Sequence, residues 1–269
     1  MIQVIKATGE LEPFSEEKVR QSILRAGIPK GLENEVIEHI KSKLYENIPT
    51  SEIYNQITDY LGESTSPYSK AKYGLKQSLM SLGPTGFPFE DFIAKVLHEQ
   101  GYETQVRQYL MGKCVKHEID VIAQKENEKV MIEVKFHNRF GTRTDVQDAL
   151  YTKARFDDVK EKDNFSQAWL VTNTKATSDA IAYCNCVGMK ILSWSYPQDA
   201  SLRSMIEKSK LLLITSLSSL TLPQKQDLLD NHIILCKDIF NNPSCLNNLN
   251  LSAEERKNVL AETEFVYKN

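Results

Sequence analysis

The sequence predicts an α/β protein in three parts: a mostly helical amino-terminal part that opens on a β-hairpin, a central α/β/α part with a mixed sheet, and a small helical carboxy-terminal part. Three observations predict it. Apolar residues alternate around Thr8-Gly9 and then switch to helical spacing. Between 117 and 194 the order is hairpin, helix, strand, helix, strand, which needs parallel as well as antiparallel pairing. After "YPQDASL" (196–202) only short helical patterns follow. With a second break at "SLGPTGFP" (81–88), the expected boundaries are 1–83, 84–200 and 201–269.

The elements follow in order. "VIKATGELEPF" (4–14) reads as a hairpin, after which Ser15 caps a helix that Gly27 and Pro29 end. Three further helices are expected near 31–46, 50–62 and 66–82, with Thr50 or Ser51, and Ser66 with Pro67, at the last two starts. Phe89, Phe92, Ile93, Val96 and Leu97 fall at helix spacing, and Gly101 stops that run. "HEIDVIAQKENEKVMIEVKF" (117–136) gives two strands on a short turn. A helix at about 144–160, a buried strand "AWLVTN" (168–173), a helix at about 176–187 and a strand "KILSW" (190–194) complete the central part. The remainder reads as short helices with loops at Pro223 and "NNPS" (241–244), and the apolar residues of 214–240 suit packing or an oligomer surface.

Composition excludes several classes. The formal net charge is −3 and no segment is a basic tail, so any nucleic-acid contact must come from a local patch or a metal. There is no signal peptide and no apolar run of membrane length, so a cytoplasmic protein without a membrane partner is expected. Five cysteines include Cys184-Asn185-Cys186, too tight for a CxxC pair; reduced, mostly buried thiols are expected, not a zinc site or a disulfide framework. No Gly-x-x-x-x-Gly-Lys-Ser/Thr occurs, so a P-loop ATPase is not expected.

The hairpin at 117–136 carries the chemistry. In "VMIEVKF", Glu133 and Lys135 share one face of the strand. If Glu126-Asn127 is a two-residue turn, Asp120 stands opposite Glu133. Two facing carboxylates repel unless a cation lies between them, and Mg²⁺ accepts a couple of carboxylates while keeping several waters. Lys135 is one step away, placed to orient or deprotonate a water or to neutralise a phosphate. A solvated surface hairpin with a Lys–Glu pair is the plain alternative. On the following helix, Gln147, Tyr151 and Arg155 recur every four positions and line one face; alternatively Thr144 to Gln147 forms a capping box and Gln147 only closes the helix start. His117 could touch a phosphate or cap the hairpin, and His137, Arg139 and Arg143 could meet a phosphate backbone or be solvated.

Asp120, Glu133 and Lys135 in this order, after the helix "PFEDFIAKVLHEQGY", resemble the Mrr-like branch of the restriction-endonuclease-like superfamily over about 84–196. The resemblance implies a phosphodiester hydrolase, a DNA endonuclease of restriction or repair, using Mg²⁺ or Mn²⁺. Asp120 and Glu133 would ligate the metal, with the Val134 carbonyl as an extra ligand. Glu90 would join directly or through water, and Lys135 would position the attacking water. Gln147 and Tyr151 resemble a Gln-x-x-x-Tyr motif that contacts the active site or the DNA.

"VIKATGELEPFSEEKVRQSILRAG" and "SPYSKAKYGLKQ" resemble the ATP-cone, a regulatory nucleotide-binding module, over about 1–82. By that resemblance Lys6 and Lys18 would bind phosphates and Glu12 the nucleoside of ATP or dATP, with Thr50 and Lys76 as further contacts. Many members carry Lys-Arg after the hairpin valine; here Lys6-Ala7 stands. Both modules commonly self-associate, which implies a homo-oligomer. A catalytically silent nucleic-acid-binding protein, or a nucleotide-sensing regulator whose α/β part only dimerises, is the alternative.

Overall fold

A computed structural model describes residues 2–25, 28, 30–63, 70 and 73–268. The expected stops at Gly27 and Pro29, and the expected start at Ser66-Pro67, lie outside these residues. The chain forms two compact units: Met1–Ser78 with Leu212–Lys225 and Leu235–Asn269, and Leu79–Leu211 with Gln226–Ile234. Among the described residues no helix is long and apolar enough to cross a membrane.

In the first unit, β1 (Gln3–Ile5) and β2 (Leu11–Pro13) form the expected hairpin, in the register Val4 opposite Glu12. A short strand that the sequence reading did not foresee, β3 (Ile48–Pro49), adds to β1 in parallel. Helices α1 (Glu16–Arg25), α2 (Lys30–Lys43) and α3 (Thr50–Glu63) follow, and α4 (Leu75–Met80) begins in this unit and ends in the second. Their apolar stripes close over Val4, Ile23, Val36, Ile37, Ile40, Ile48, Ile53, Ile57 and Leu61. Each such side chain contributes roughly 1.5–3 kcal/mol when removed from water.

The second unit holds a mixed five-stranded sheet in the order β10-β8-β6-β5-β4. These are β4 (Glu103–Met111), β5 (Lys116–Lys125), β6 (Glu128–Lys135), β8 (Gln167–Thr172) and β10 (Lys190–Leu192). Pairs β4–β5 and β5–β6 are antiparallel, while β6–β8 and β8–β10 are parallel. Helix α5 (Phe87–His98) packs on β4, β5 and β6, burying Phe89, Phe92, Ile93, Val96 and Leu97 as the spacing predicts. Helices α6 (Val146–Asp163) and α7 (Ser178–Cys186) share a core with Ile122, Met131, Ala168 and Leu170. Val130 and Ile132, on the alternate positions of β6, are also fully buried, so the sheet is covered on both faces.

β4 is the one long strand absent from the sequence reading. It is an edge strand, and its alternation breaks at Arg107, whose φ is +51°. Two-residue strands β7 (Arg143–Thr144) and β9 (Lys175–Ala176) pair in parallel and tie down the loop before α6.

The carboxy-terminal helices are α8 (Leu202–Ser209), α9 (Leu222–Asp230), α10 (Cys236–Asn241) and α11 (Ala253–Lys268). Pro223 is not in a loop, as expected from the sequence, but in the first turn of α9, where its missing N–H costs nothing. Pro243, in the other expected loop, begins a 3₁₀ turn, Pro243–Asn248. Within the first unit, Thr215 Oγ1 donates to the Ser78 carbonyl at 2.8 Å, and Ser218 N–H and Ser219 N–H donate to the Glu262 carboxylate at 2.7 and 2.8 Å. Cys184 and Cys236 are buried and Cys245 half-buried, but Cys114 and Cys186 are exposed, against the expectation of mostly buried thiols.

Candidate active site

The β5–β6 hairpin turns at Glu126-Asn127, and Lys125 pairs with Glu128. From there the register runs to Val121 opposite Ile132, so Asp120 and Glu133 hold the next opposed positions. The regular ladder stops at that point. Asp120 fills the gap: its Oδ2 accepts the Val134 N–H at 2.7 Å, which fixes this carboxylate beside Glu133.

Helix α5 supplies Glu90 in its first turn. Its Oε2 lies 3.2 Å from Arg107 Nη1, while Arg107 Nη2 donates to Asp91 at 2.6 Å. Asp91 also meets His232 Nδ1 at 2.9 Å. The strained backbone at Arg107 thus aims one guanidinium at two acids of α5.

The three acids feel one another. Burial pushes Glu133 up to about 7, and the Asp120 charge adds to the shift against Arg155 and Lys135. Burial likewise pushes Glu90 up to about 7, again with help from Asp120. Asp120 is raised by burial, opposed by the Val134 amide. Asp120 and Glu133 therefore titrate as a unit.

Lys135 is raised chiefly by Asp148, whose Oδ1 lies 3.0 Å from its ammonium, and also by Glu133 and Asp120. Asp148 was not foreseen. It closes the capping box of α6 on Asp145, whose side chain accepts the Gln147 N–H at 2.9 Å. The box thus runs from Asp145 to Asp148, one residue later than Thr144 to Gln147, because the two-residue strand β7 holds Thr144. Gln147 is exposed in the first turn of α6. Tyr151 is 56% exposed, and its hydroxyl accepts from Arg155 Nη2. Arg155 Nη1 donates to Glu133 Oε2 at 2.6 Å and to the Glu118 carbonyl at 2.8 Å. Arg155 is the basic partner of Glu133; its four-residue spacing from Tyr151 was the one sequence signal for it.

Other candidates go elsewhere. His117 Nε2 lies 2.8 Å from Asp158, whose carboxylate also takes the Cys114 and Val115 amides, so this histidine closes the β4–β5 turn. His137 binds the Thr144 hydroxyl at 3.1 Å and exchanges backbone bonds with the Asn173 side chain. Arg139, in the loop between β6 and β7, and Arg143, in β7, are both exposed.

In the first unit, Glu12 accepts from both Lys6 and Lys18 at 2.9 Å, so three of the expected nucleotide contacts form one cluster. Hydrogen bonds from Lys18 and Lys6 hold the Glu12 carboxyl below its usual range, and Glu12 raises Lys6. Thr50 opens α3 directly after Pro49, which pairs with Ile5, so it is level with Lys6 on the neighbouring strand. Lys76 is half-buried on α4 in the same compact unit.

Among the described residues no group of three or more His, Cys, Asp or Glu side chains is placed to hold a metal ion. Asp120 and Glu133 nonetheless suit Mg²⁺ or Mn²⁺. They are hard oxygen donors, burial disfavours the ionised forms that a cation would stabilise, and Mg²⁺ keeps waters on its remaining positions.

Residues 84–194 match the restriction endonuclease family (Mrr_cat), residues 2–73 the ATP cone domain, and residues 214–266 the AF1548-like carboxy-terminal family. The last of these gives the tail a family, where the sequence alone suggests a packing or oligomer surface. An uncharacterized protein of Archaeoglobus fulgidus is 38% identical over 175 residues, 65% of this chain and 99% of that protein. The crystal structure of AF1548, titled a protein of unknown function, is similar with a TM-score of 0.60 and 35% identity, covering 68% of this chain and 99% of that one.

Proposed function

The chain belongs to one family with the Archaeoglobus fulgidus protein and joins an ATP cone to a restriction-endonuclease-like domain in a mixed α/β fold; from that premise we propose that it is a divalent-metal-dependent DNA endonuclease controlled by an adenine nucleotide. The observation that carries the reading is the opposed pair Asp120 and Glu133, whose carboxyls burial and mutual charge push up, Glu133 to about 7, with Glu90 on α5 raised to about 7 in the same field. Burial and mutual charge disfavour the ionised forms of these carboxyls, and a bound cation would favour them.

Asp120 and Glu133 would hold Mg²⁺ or Mn²⁺, the Val134 carbonyl would add a ligand, and Glu90 would reach the ion directly or through water. The bound ion supplies Lewis-acid stabilisation of charge on the phosphate and a more acidic water. Lys135, tethered but exposed, orients the attacking water at the scissile phosphate. Gln147 and Tyr151, exposed on the same helix, meet the DNA or the reacting phosphate. The hydrolysis suits restriction of foreign DNA or repair.

At the ATP cone, Lys6 and Lys18 take the phosphates of ATP or dATP, Glu12 turns to the nucleoside, and Thr50 and Lys76 complete the set. Regulation requires the nucleotide to bind two states unequally, and self-association of the chain would supply those states. The domain boundaries 1–83, 84–200 and 201–269 belong to the same proposal.

A plasmid-nicking assay tests the reading. Wild type is expected to cut with Mg²⁺ and not with EDTA, and Asp120→Ala and Lys135→Ala to leave the plasmid intact. No cutting under any nucleotide condition would favour a silent binding protein instead.

A further inference from the structure

Both charged side chains of the β6 Glu-x-Lys segment are held from α6 by a residue of opposite sign. Arg155 holds Glu133 at 2.6 Å, and Asp148 holds Lys135 at 3.0 Å. Asp148, Tyr151 and Arg155 are spaced i, i+3 and i+7, which places them along one face of the helix. The charge order on the strand, acid then base, meets base and acid on the helix.

The Arg155 contact is heavily constrained. Its Nη1 donates to Glu133 Oε2 and to the Glu118 carbonyl, its Nη2 donates to the Tyr151 hydroxyl, and its guanidinium lies 4.7 Å from the Tyr151 ring centroid. The pair is almost out of solvent, with side chains 12% and 14% exposed. A planar fork gripped at both nitrogens cannot swing, so it fixes the rotamer of the acid it binds. It also occupies one oxygen of that acid. Oε2 belongs to Arg155, and Oε1 is the oxygen left for a cation.

We propose that Arg155 is a positioning residue that makes Glu133 a one-oxygen ligand, and that Asp148 does the matching work for Lys135, so that α6 sets the geometry of the centre. The inference rests on the nuclease reading. Without Arg155, Glu133 is free to bind a cation through both oxygens, and a neighbouring positive charge is gone. Both changes favour cation binding while moving the ion from its working place. A displacement of about 1 Å in such a centre costs on the order of a hundredfold in rate. The signature is therefore a split between metal affinity and turnover, which a scaffolding residue would not produce.

The experiment measures Mn²⁺ binding by electron paramagnetic resonance and plasmid cleavage at saturating Mn²⁺, on the full chain. Arg155→Met keeps the stem and loses the charge. Asp148→Asn keeps the amide-capping oxygen of α6 and loses the charge. Arg155→Met is expected to bind Mn²⁺ at least as tightly as wild type and to cleave about a hundredfold more slowly. Asp148→Asn is expected to bind Mn²⁺ like wild type and to cleave at least about tenfold more slowly. Arg155→Lys, which retains one contact, is expected to fall between wild type and Arg155→Met, and replaces it if that variant does not fold. Wild-type cleavage in these variants overturns the inference and leaves the nuclease reading standing. So does loss of cleavage in step with loss of Mn²⁺ binding, because Arg155 would then be scaffold only. A wild-type chain that neither binds Mn²⁺ nor cleaves overturns both.

Discussion

Glu12 and Glu133 are both carboxylates gripped by basic side chains, yet their protons are held in opposite ways. Glu12 receives two ammonium groups at 2.9 Å on a hairpin and is driven down. Glu133 receives a guanidinium at 2.6 Å and is still driven up, to about 7. A basic partner therefore does not decide the sign. Burial and the second carboxylate of Asp120 outweigh Arg155 at Glu133, whereas little desolvation opposes Lys6 and Lys18 at Glu12. The exposed cluster is already neutralised and gains from an anion that takes its lysines. Burial disfavours the ionised carboxyls of the second cluster, and a cation would favour them.

The largest expected effect lies at the buried cluster. Asp120→Asn and Glu133→Gln each remove one ligand charge, and Mg²⁺-dependent cleavage is expected to fall by about a thousandfold or more in a plasmid-nicking time course. Either variant cutting within tenfold of wild type would break the contrast between the clusters.

A second effect concerns stability. Where a carboxyl is raised from 4.5 to about 7, the folded chain holds a proton that the unfolded chain has released. Stability then falls as pH rises through that window and is regained as pH is lowered. The thermal midpoint in EDTA is expected to rise between pH 8 and pH 6, and Glu133→Gln to flatten that slope. Mn²⁺ at pH 8 is expected to raise the midpoint of wild type and not of Glu133→Gln. A slope of the same size in both proteins would show that the Glu133 carboxyl is not raised.

Smaller effects belong to the exposed cluster. Lys18→Ala and Lys6→Ala are each expected to weaken ATP or dATP binding about tenfold, read as a reduced ligand-induced thermal shift, and added salt to weaken it further. Equal shifts in wild type and both variants would remove these lysines from the nucleotide site. Smallest of all, Glu12→Gln is expected to move the midpoint of the free protein by about 2 °C or less, because exposed ion pairs contribute little.

The same contrast separates what was legible in the sequence from what was not. The pairing of Asp120 with Glu133 follows from a two-residue turn at Glu126-Asn127, and the existence of the first hairpin from the alternation around Thr8-Gly9, though its register, Val4 opposite Glu12, centres on Thr8. Local geometry fixes both. The partners that α6 supplies depend instead on how the helix lies across β6, which no spacing encodes; Arg155 is 22 residues from Glu133 and Asp148 is 13 from Lys135. His117 was drawn away by Asp158, 41 residues on, for the same reason. β4 was missed because a polar edge strand interrupted at Arg107 has no clean alternation. The packed helix α5 was legible because five apolar residues at helical spacing have one place to go.

The claim at the centre is that Asp120 and Glu133 make a site for one divalent cation. Counting free Mn²⁺ by electron paramagnetic resonance in a titration at pH 8 tests it without any substrate. One ion bound per chain in wild type, and none in Asp120→Asn or Glu133→Gln under the same conditions, is the expected result. Wild type that leaves all the Mn²⁺ free at millimolar concentration, or variants that bind it as wild type does, would contradict it.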